Sequence, residues 1–188
     1  MTRRKFLLSA ACATLVGQSF ADDAAWVALR KPGAIVMFRH ALAPGVGDPP
    51  GFKISDCSTQ RNLSQEGKLQ AMRIGQTLRD PQVKIQAVWH SAWCRTRDTA
   101  QLAFPELREP TLRPEPAFNS FFGDRSSEPA QTAAARKLLL QWRGPGALVV
   151  VTHQVNITAL TGMGAQSGEG VVLLREGGQL RVAGRIAP

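Results

Sequence analysis

The sequence predicts an α/β fold of three layers, in which helices cover both faces of a mainly parallel sheet. Continuous aliphatic runs at 34–38 and 147–151 are typical of strands that are buried on both faces. Segments with helical patterning separate the predicted strands, and strands that alternate with helices build parallel sheets. No repeat or linker divides the 188 residues, so we expect one domain over 22–188.

The first 21 residues have the features of an export signal, and we exclude them from the predicted fold. A basic head at 3–5 precedes an apolar run over 6–17, and Ser19-Phe20-Ala21 is a small-x-small cleavage site. The run is shorter than the roughly 20 residues that span a bilayer, so no permanent membrane span is expected. We predict export to the periplasm by the general secretory or the twin-arginine route; an uncleaved buried helix is the alternative.

The first half of the domain begins with the strand at 34–38, which follows Pro32-Gly33. A stretch rich in proline and glycine over 43–53 is predicted to be a loop beside the end of this strand. Ser64 then opens a helix, whose predicted apolar face consists of Leu69, Met72, Ile74 and Leu78. A short strand is expected at 85–89.

The second half of the domain continues the alternation of strands and helices. Residues 95–104 are predicted to form a helix that ends before Pro105, and an alanine-rich helix is expected within 129–142. The aliphatic strand at 147–151 follows. Segments 168–175 and 179–186 are predicted to form a hairpin around Gly177-Gly178.

The charge of the chain favours anionic partners. The formal net charge is +9, and removal of the signal leaves 20 basic and 14 acidic residues, a net charge of +6. No nucleic-acid motif and no block of five like charges is present, so we do not expect DNA or RNA binding.

Two cysteines, Cys57 and Cys94, remain once the signal is removed. An oxidising periplasm would allow them to pair as a disulfide. The alternative is that both are unpaired core residues, because the sequence does not supply the distance between them.

Histidine and arginine follow the predicted strands at the points where they end. Arg39-His40 follows the first strand, His90-Ser91 the second, and His153 the strand at 147–151. Ligands of open parallel sheets bind outside the carboxyl ends of the strands. We therefore expect all three histidines to lie at one edge of the sheet.

Three segments, in order along the chain, resemble the signatures of histidine phosphatases. Phe38-Arg39-His40-Ala41 resembles the Arg-His-Gly signature, with Ala41 in place of glycine. Segment 91–100 is similar to the second signature: a serine, a helix-opening arginine and a Thr-Ala pair. Val151-Thr152-His153 is similar to the third. The resemblance implies a phosphoglycerate mutase-like fold and a small exported phosphatase, like those that act on the heptose phosphate of lipopolysaccharide.

The chemistry of these residues agrees with the resemblance. A neutral imidazole can attack phosphorus in line, so His40 is predicted to carry the phosphoryl group as phosphohistidine. Arg39 and Arg95 would hold the equatorial oxygens, because guanidinium groups match them in geometry and charge. By the resemblance, His153 would donate to the same oxygens.

Three further residues are predicted to line the substrate site: Arg61, Ser91 and His90. Arg61 precedes the first long helix and is either a phosphate ligand or a surface arginine. Arg97, two positions after Arg95, is expected to point elsewhere on its helix and to be solvated or in an ion pair.

The general acid differs from the family pattern, because many family members carry a glutamate in the segment where this chain reads Phe118 to Asp124 without one. We predict that Asp124 protonates the leaving oxygen, with Asp48 in the first loop as the alternative. Either carboxylate could instead be a solvated loop residue.

The favoured function is a metal-independent, cofactor-free phosphomonoester hydrolase that acts on a small phosphorylated substrate, such as a sugar phosphate of lipopolysaccharide. No cluster of His, Asp or Glu has the spacing of metal ligands. The alternative from another class is a non-catalytic periplasmic protein that binds anions but lacks the acid. A phosphomutase and a protein-phosphohistidine phosphatase fit export less well.

Overall fold

The computed structural model describes residues 16–79 and 83–187. Its five helices are α1 Val16–Leu29, α2 Gln65–Leu78, α3 Cys94–Ala103, α4 Glu128–Gln141 and α5 Gln154–Thr161. Its six strands are β1 Ile35–Arg39, β2 Ile85–His90, β3 Leu112–Pro114, β4 Ala147–Thr152, β5 Gly170–Glu176 and β6 Gln179–Ile186.

The six strands form one sheet in the order β3-β2-β4-β1-β5-β6. The pairs β3-β2, β2-β4 and β4-β1 are parallel, whereas β5 is antiparallel to both of its neighbours. Val151 of β4 lies opposite Phe38 on one side and His90 on the other. The carboxyl ends of β1, β2 and β4 are therefore level with one another.

Alternating side chains of the central strands enter two separate cores, which confirms the predicted three layers. Val36, Phe38, Val149 and Val151 pack under the first three helices. The residues between them, including Met37 and Val150, pack under α4 and α5 on the other face. Full burial of each such side chain stabilises the fold by roughly 1.5–3 kcal/mol relative to exposure.

Helix α2 begins after Ser64, whose side chain accepts a hydrogen bond from the Gly67 amide, as expected for a helix N-cap. Its predicted apolar face is partly wrong. Leu69 and Met72 are 48% and 42% exposed, whereas Ile74 and Leu78 are buried.

The buried face of α2 contains glycine because the neighbouring backbone lies very close. A Cβ on Gly75 would lie 1.9 Å from the carbonyl oxygen of Ala103 in α3, and one on Gly67 would lie 2.0 Å from that of Leu42. The inward side of α2 therefore combines glycines, which allow the backbones to approach closely, with the buried side chains of Ile74 and Leu78.

The predicted signal lies mostly outside the described residues, and its last positions, 16–21, belong to α1. The buried side chains described for α1 are Ala25, Ala28 and Leu29, all of them after the predicted cleavage site. Across 16–79 and 83–187, no helix is long and apolar enough to cross a membrane. Export remains a prediction.

The predicted disulfide is confirmed. Cys57 and Cys94 are bonded, with their Cα atoms 5.7 Å apart. Cys94 is the first residue of α3, and its amide also donates to the Gln60 side chain at 3.0 Å. The long loop between β1 and α2 is thus attached to the start of α3.

Candidate active site

A cavity of about 780 Å³ opens at the carboxyl ends of β1 and β4. Residues from the strand ends line its floor, and two loops, 43–53 and 119–125, line its mouth. The predicted site residues in its lining are Arg39, His40, Asp48, Arg61, Arg95, Asp124 and His153. Parallel pairing places His40 and His153 next to each other, because each follows the last residue of one of two adjacent strands.

His40 is held in one orientation on the floor of the cavity. It is only 2% exposed, and its Nδ1 lies 2.7 Å from the carbonyl oxygen of Ala41. A carbonyl only accepts, so Nδ1 carries the proton and Nε2 keeps its lone pair.

The charge state of His40 follows from its surroundings. Burial is the largest cause and lowers the pKa of the imidazole to about 3. The hydrogen bond to Ala41 opposes this change, whereas three nearby arginines add to it. The ring is therefore neutral from weakly acidic to alkaline pH, as a nitrogen nucleophile requires.

His153 contacts His40 edge-on, with ring centroids 5.6 Å apart. Its Nε2 lies 2.8 Å from the hydroxyl of Ser91, which also accepts from the Trp93 amide at 3.2 Å. We take the Ser91 hydroxyl as the donor to Nε2, an assignment that places the proton of the neutral ring on Nδ1. Burial first, and then the neighbouring positive charges, hold the pKa of His153 well below its ordinary value.

Ser91 is fully buried and absent from the cavity lining. It was predicted to bind substrate, but it lies behind His153 and orients that ring. We therefore describe Ser91 as a positioning residue.

Three arginines surround the two histidines, and protein acceptors hold each of them. Arg39 donates to Gln154 Oε1 at 2.8 Å and to the Ala165 carbonyl at 3.1 Å. Arg61 donates to the carbonyls of Gly47 and Ala43, so it is a cavity residue rather than a surface arginine. Burial is the largest cause of a lowered pKa in each arginine, but all three stay charged because the ordinary pKa of a guanidinium lies far above neutral pH.

Arg95 forms a bidentate ion pair with Asp48, at 2.7 Å for Nη1 and 3.1 Å for Nη2. The Nε atoms of Arg95 and Arg39 are buried and have no hydrogen-bond partner within the described parts of the chain. Unpaired buried donors are unfavourable unless a ligand uses them, so both are candidate donors to a phosphoryl oxygen.

Asp48 accepts four hydrogen bonds, two from Arg95, one from the Trp93 indole at 3.0 Å and one from the Arg61 amide at 3.0 Å. Burial acts to raise its pKa, but these donors outweigh burial and hold the pKa below its ordinary value. Asp48 is therefore ionised at neutral pH, and its geometry fits a residue that positions Arg95 better than a proton donor.

Asp124 lies at the exposed mouth of the cavity. Its carboxylate accepts from the Ser126 hydroxyl at 2.5 Å and from the Ser126 amide at 3.0 Å, and these bonds lower its pKa. Both predicted acids line the cavity, but the carboxylate of Asp124 has no arginine partner, and its lowered pKa leaves less of its protonated form at neutral pH.

The structure separates His90 from the other site residues. His90 lines a second cavity, of about 760 Å³, together with Arg97, Phe104 and Pro114. Side chains of consecutive residues at a strand end point to opposite sides, so His90 faces away while Ser91 faces His153. Substrate binding by His90 is thus not supported by its position.

Arg97 forms an ion pair with Asp98 at 2.8 Å, as expected for a residue outside the site.

Two residues of the site were not recognised in the sequence. Trp93 lines the cavity, donates to Asp48 and packs its ring 5.3 Å from that of His153. Gln154 orients Arg39. Trp93 lies within the second signature segment, and Gln154 directly follows His153. These positions are the signal that could have identified both residues.

Among the residues that the structure describes, no group of His, Cys, Asp or Glu could hold a metal ion.

Solved structures with this fold include several phosphatases. YhfR of Bacillus stearothermophilus is 14% identical and superposes with a TM-score of 0.60 over 80% of this chain and 95% of its own. The protein histidine phosphatase SixA, solved with tungstate, is 19% identical, with a TM-score of 0.57 over 82% and 97%. The mycobacterial glucosyl-3-phosphoglycerate phosphatase is 15% identical, with a TM-score of 0.57 over 79% and 95%.

No curated protein matches the chain in sequence. The family model of the histidine phosphatase superfamily, branch 1, matches residues 35–145, which is more than half of the sequence and includes the first two signatures. His153 follows that match, at the end of β4 and in contact with His40. This chain belongs to the histidine phosphatase superfamily.

Proposed function

We propose that the protein hydrolyses phosphomonoesters through a phosphohistidine formed on His40. The observation that carries the proposal is the hydrogen bond from His40 Nδ1 to the Ala41 carbonyl, 2.7 Å long, which leaves Nε2 unprotonated in the cavity. Membership of a superfamily of phosphatases supports the same reaction.

The reaction takes two displacements at phosphorus. In the first, His40 Nε2 forms a bond to phosphorus while the bond from phosphorus to the ester oxygen breaks, and that oxygen takes up a proton. In the second, a water oxygen attacks phosphorus, the N–P bond breaks, and the water gives a proton to the carboxylate that protonated the ester oxygen in the first step. Phosphate leaves and His40 regains its neutral ring.

Positive groups around His40 would stabilise the phosphoryl group in both steps. The guanidinium groups of Arg39, Arg61 and Arg95 supply charge, and His153 Nδ1–H supplies a donor that the Ser91 hydroxyl holds in place. Because these donors are already fixed by the protein, little reorganisation is needed when charge moves onto the equatorial oxygens.

We assign the proton of the first step to Asp124. It lines the same cavity, and Ser126 is its hydrogen-bond partner, whereas an arginine holds Asp48. Its lowered pKa means that the protonated form grows as the pH falls, so the assignment implies faster release of poor leaving groups in acid.

The substrate of the cell is part of the proposal. Together, the predicted signal and the family resemblance favour a periplasmic enzyme that acts on a small envelope phosphate, with the sugar phosphate of lipopolysaccharide as the first candidate. The structural neighbours act, by their descriptions, on protein phosphohistidine and on glucosyl-3-phosphoglycerate, so both substrate classes belong in the assay.

The test is phosphate release from para-nitrophenyl phosphate by wild type, His40→Asn and His90→Asn, each with and without chelator. We expect chelator-resistant activity in wild type and in His90→Asn, and none in His40→Asn. His90 is a matched control because it is also a histidine at a strand end but lies outside the cavity. Rapid quenching should trap phosphate on a histidine of wild type and of His90→Asn, but not of His40→Asn. Equal activity in wild type and His40→Asn would refute the proposed nucleophile.

A non-catalytic anion-binding protein is the second candidate, because both carboxylates of the cavity have a lowered pKa. Para-nitrophenyl phosphate separates the two functions, since its leaving group needs little protonation. Tight binding of inorganic phosphate without any turnover of this ester, from pH 4 to 8, would establish the binding function instead.

A further inference from the structure

Apolar side chains stand exposed at the mouth of the catalytic cavity. Val46 is 87% exposed and Phe122 is 50% exposed, and both line the cavity. They belong to the two loops of the mouth, and these loops meet, because a Cβ on Gly47 would lie 3.7 Å from the Phe122 ring. We call Val46, Phe52 and Phe122 the apolar collar.

The walls below the collar continue the apolar surface inward. The Phe52 ring lies 5.8 Å from the ring of Trp93, which lines the cavity next to His153. Val155, at the start of α5, also faces the cavity. When the phosphate of a substrate reaches His40, an apolar leaving group would therefore contact apolar side chains between the floor of the cavity and its mouth.

Four polar side chains of the same cavity, apart from the arginines and histidines that would hold the phosphate, make hydrogen bonds within the protein. Gln154 accepts from Arg39, Asp48 accepts from Arg95, and Asp124 accepts from Ser126. The Ser120 hydroxyl accepts from the Phe122 amide at 3.3 Å. A sugar would have to compete for these groups, since each hydroxyl that loses water without a new partner opposes binding.

We propose that the leaving group of the natural substrate is an apolar alcohol, so that the enzyme prefers alkyl or aryl monophosphates to sugar phosphates. The proposal rests on the proposed phosphatase function, and it replaces the sugar phosphate, which the family resemblance favours, with an apolar substrate class that the lining of the cavity favours. Arginines would bind the phosphoryl end, and the apolar collar would remove the carbon chain from water. Burial of one methylene then raises kcat/KM about fourfold, until the chain extends past the collar.

The experiment measures phosphate release from n-alkyl monophosphates of two to eight carbons, with glucose 6-phosphate as the sugar substrate. Wild type should show a rising kcat/KM along the series and a lower value for the sugar. In Val46→Ser/Phe122→Ser the rise should flatten, so that the ratio of kcat/KM for octyl phosphate to that for ethyl phosphate falls toward one. Leu69→Ser, which alters an exposed apolar residue of α2 outside the cavity, should behave as wild type.

Two outcomes would overturn the apolar substrate class while leaving the phosphatase function standing. One is a chain-length dependence that is flat in wild type, and the other is a higher kcat/KM for the sugar phosphate. Failure of the phosphatase function itself would appear as no turnover of any ester, para-nitrophenyl phosphate included. In that case, calorimetry with n-alkylphosphonates tests the collar alone, and an affinity independent of chain length would refute it.

Discussion

Acidification should destabilise the protein through His40, because the folded state resists protonation of this ring. The pKa of His40 is about 3 in the fold, against about 6.5 in an unfolded chain. Between these values the unfolded state binds more protons, so the free energy of unfolding falls as the pH drops below 6.5. At pH 5 the loss from this one residue, relative to pH 7, is about 2 kcal/mol.

Urea unfolding at pH 7 and pH 5 measures this loss in wild type and in His40→Asn. The amide nitrogen of asparagine can donate to the Ala41 carbonyl as Nδ1 does, but it does not titrate. The variant should therefore lose about 2 kcal/mol less than wild type over the same interval. Titration of the His40 ring by NMR checks the cause directly. A midpoint near pH 6.5, or equal losses in the two proteins, would refute the reasoning.

Three other changes test the site and its supports. Ser91→Ala should lower kcat about tenfold to a hundredfold with little change in KM, because His153 loses the partner that orients it. Steady-state kinetics measure both constants, and an unchanged kcat would contradict the positioning role. Cys57→Ser opens a bridge between residues 37 positions apart and should lower the free energy of unfolding by about 4 kcal/mol at most. Reductant should then destabilise wild type and not the variant in urea unfolding. Gly75→Ala should lower the free energy of unfolding by about 1–3 kcal/mol, because the new methyl group would clash with the Ala103 carbonyl. If urea unfolding shows a more stable variant, α2 and α3 can move apart at little cost and the reasoning is wrong.

The strands and histidines that could be predicted are those with strong local signals. Runs of aliphatic residues identified β1 and β4, and parallel pairing then placed His40 beside His153. Weaker signals were missed. Strand β3 has three residues, and α5 has eight with little separation of apolar and polar faces, so neither produces a clear period.

The orientation of side chains at the site was harder to predict than their order along the chain. His90 and Ser91 were grouped as neighbours, yet alternation along a strand sends them to opposite sides. Asp48 was predicted to be either an acid or a solvated loop residue, and its ion pair with Arg95 was missed because Arg95 stands 47 positions later and no local pattern links the two. Contacts between distant loops depend on the packed fold, which local patterns do not describe.

The position of β4 in the sheet also determines when the site can form during folding. Leu148 pairs with Ile35, 113 positions earlier, and β4 separates β1 from β2. Contacts between such distant residues form slowly, because a long loop must close before any pairing energy is gained. Until β4 joins the sheet between β1 and β2, His40 has neither its neighbour His153 nor the strand that aligns it with Ser91. A chain that is stalled before residue 147 would therefore contain the nucleophile and the three arginines, but neither His153 nor the strand that brings these groups together.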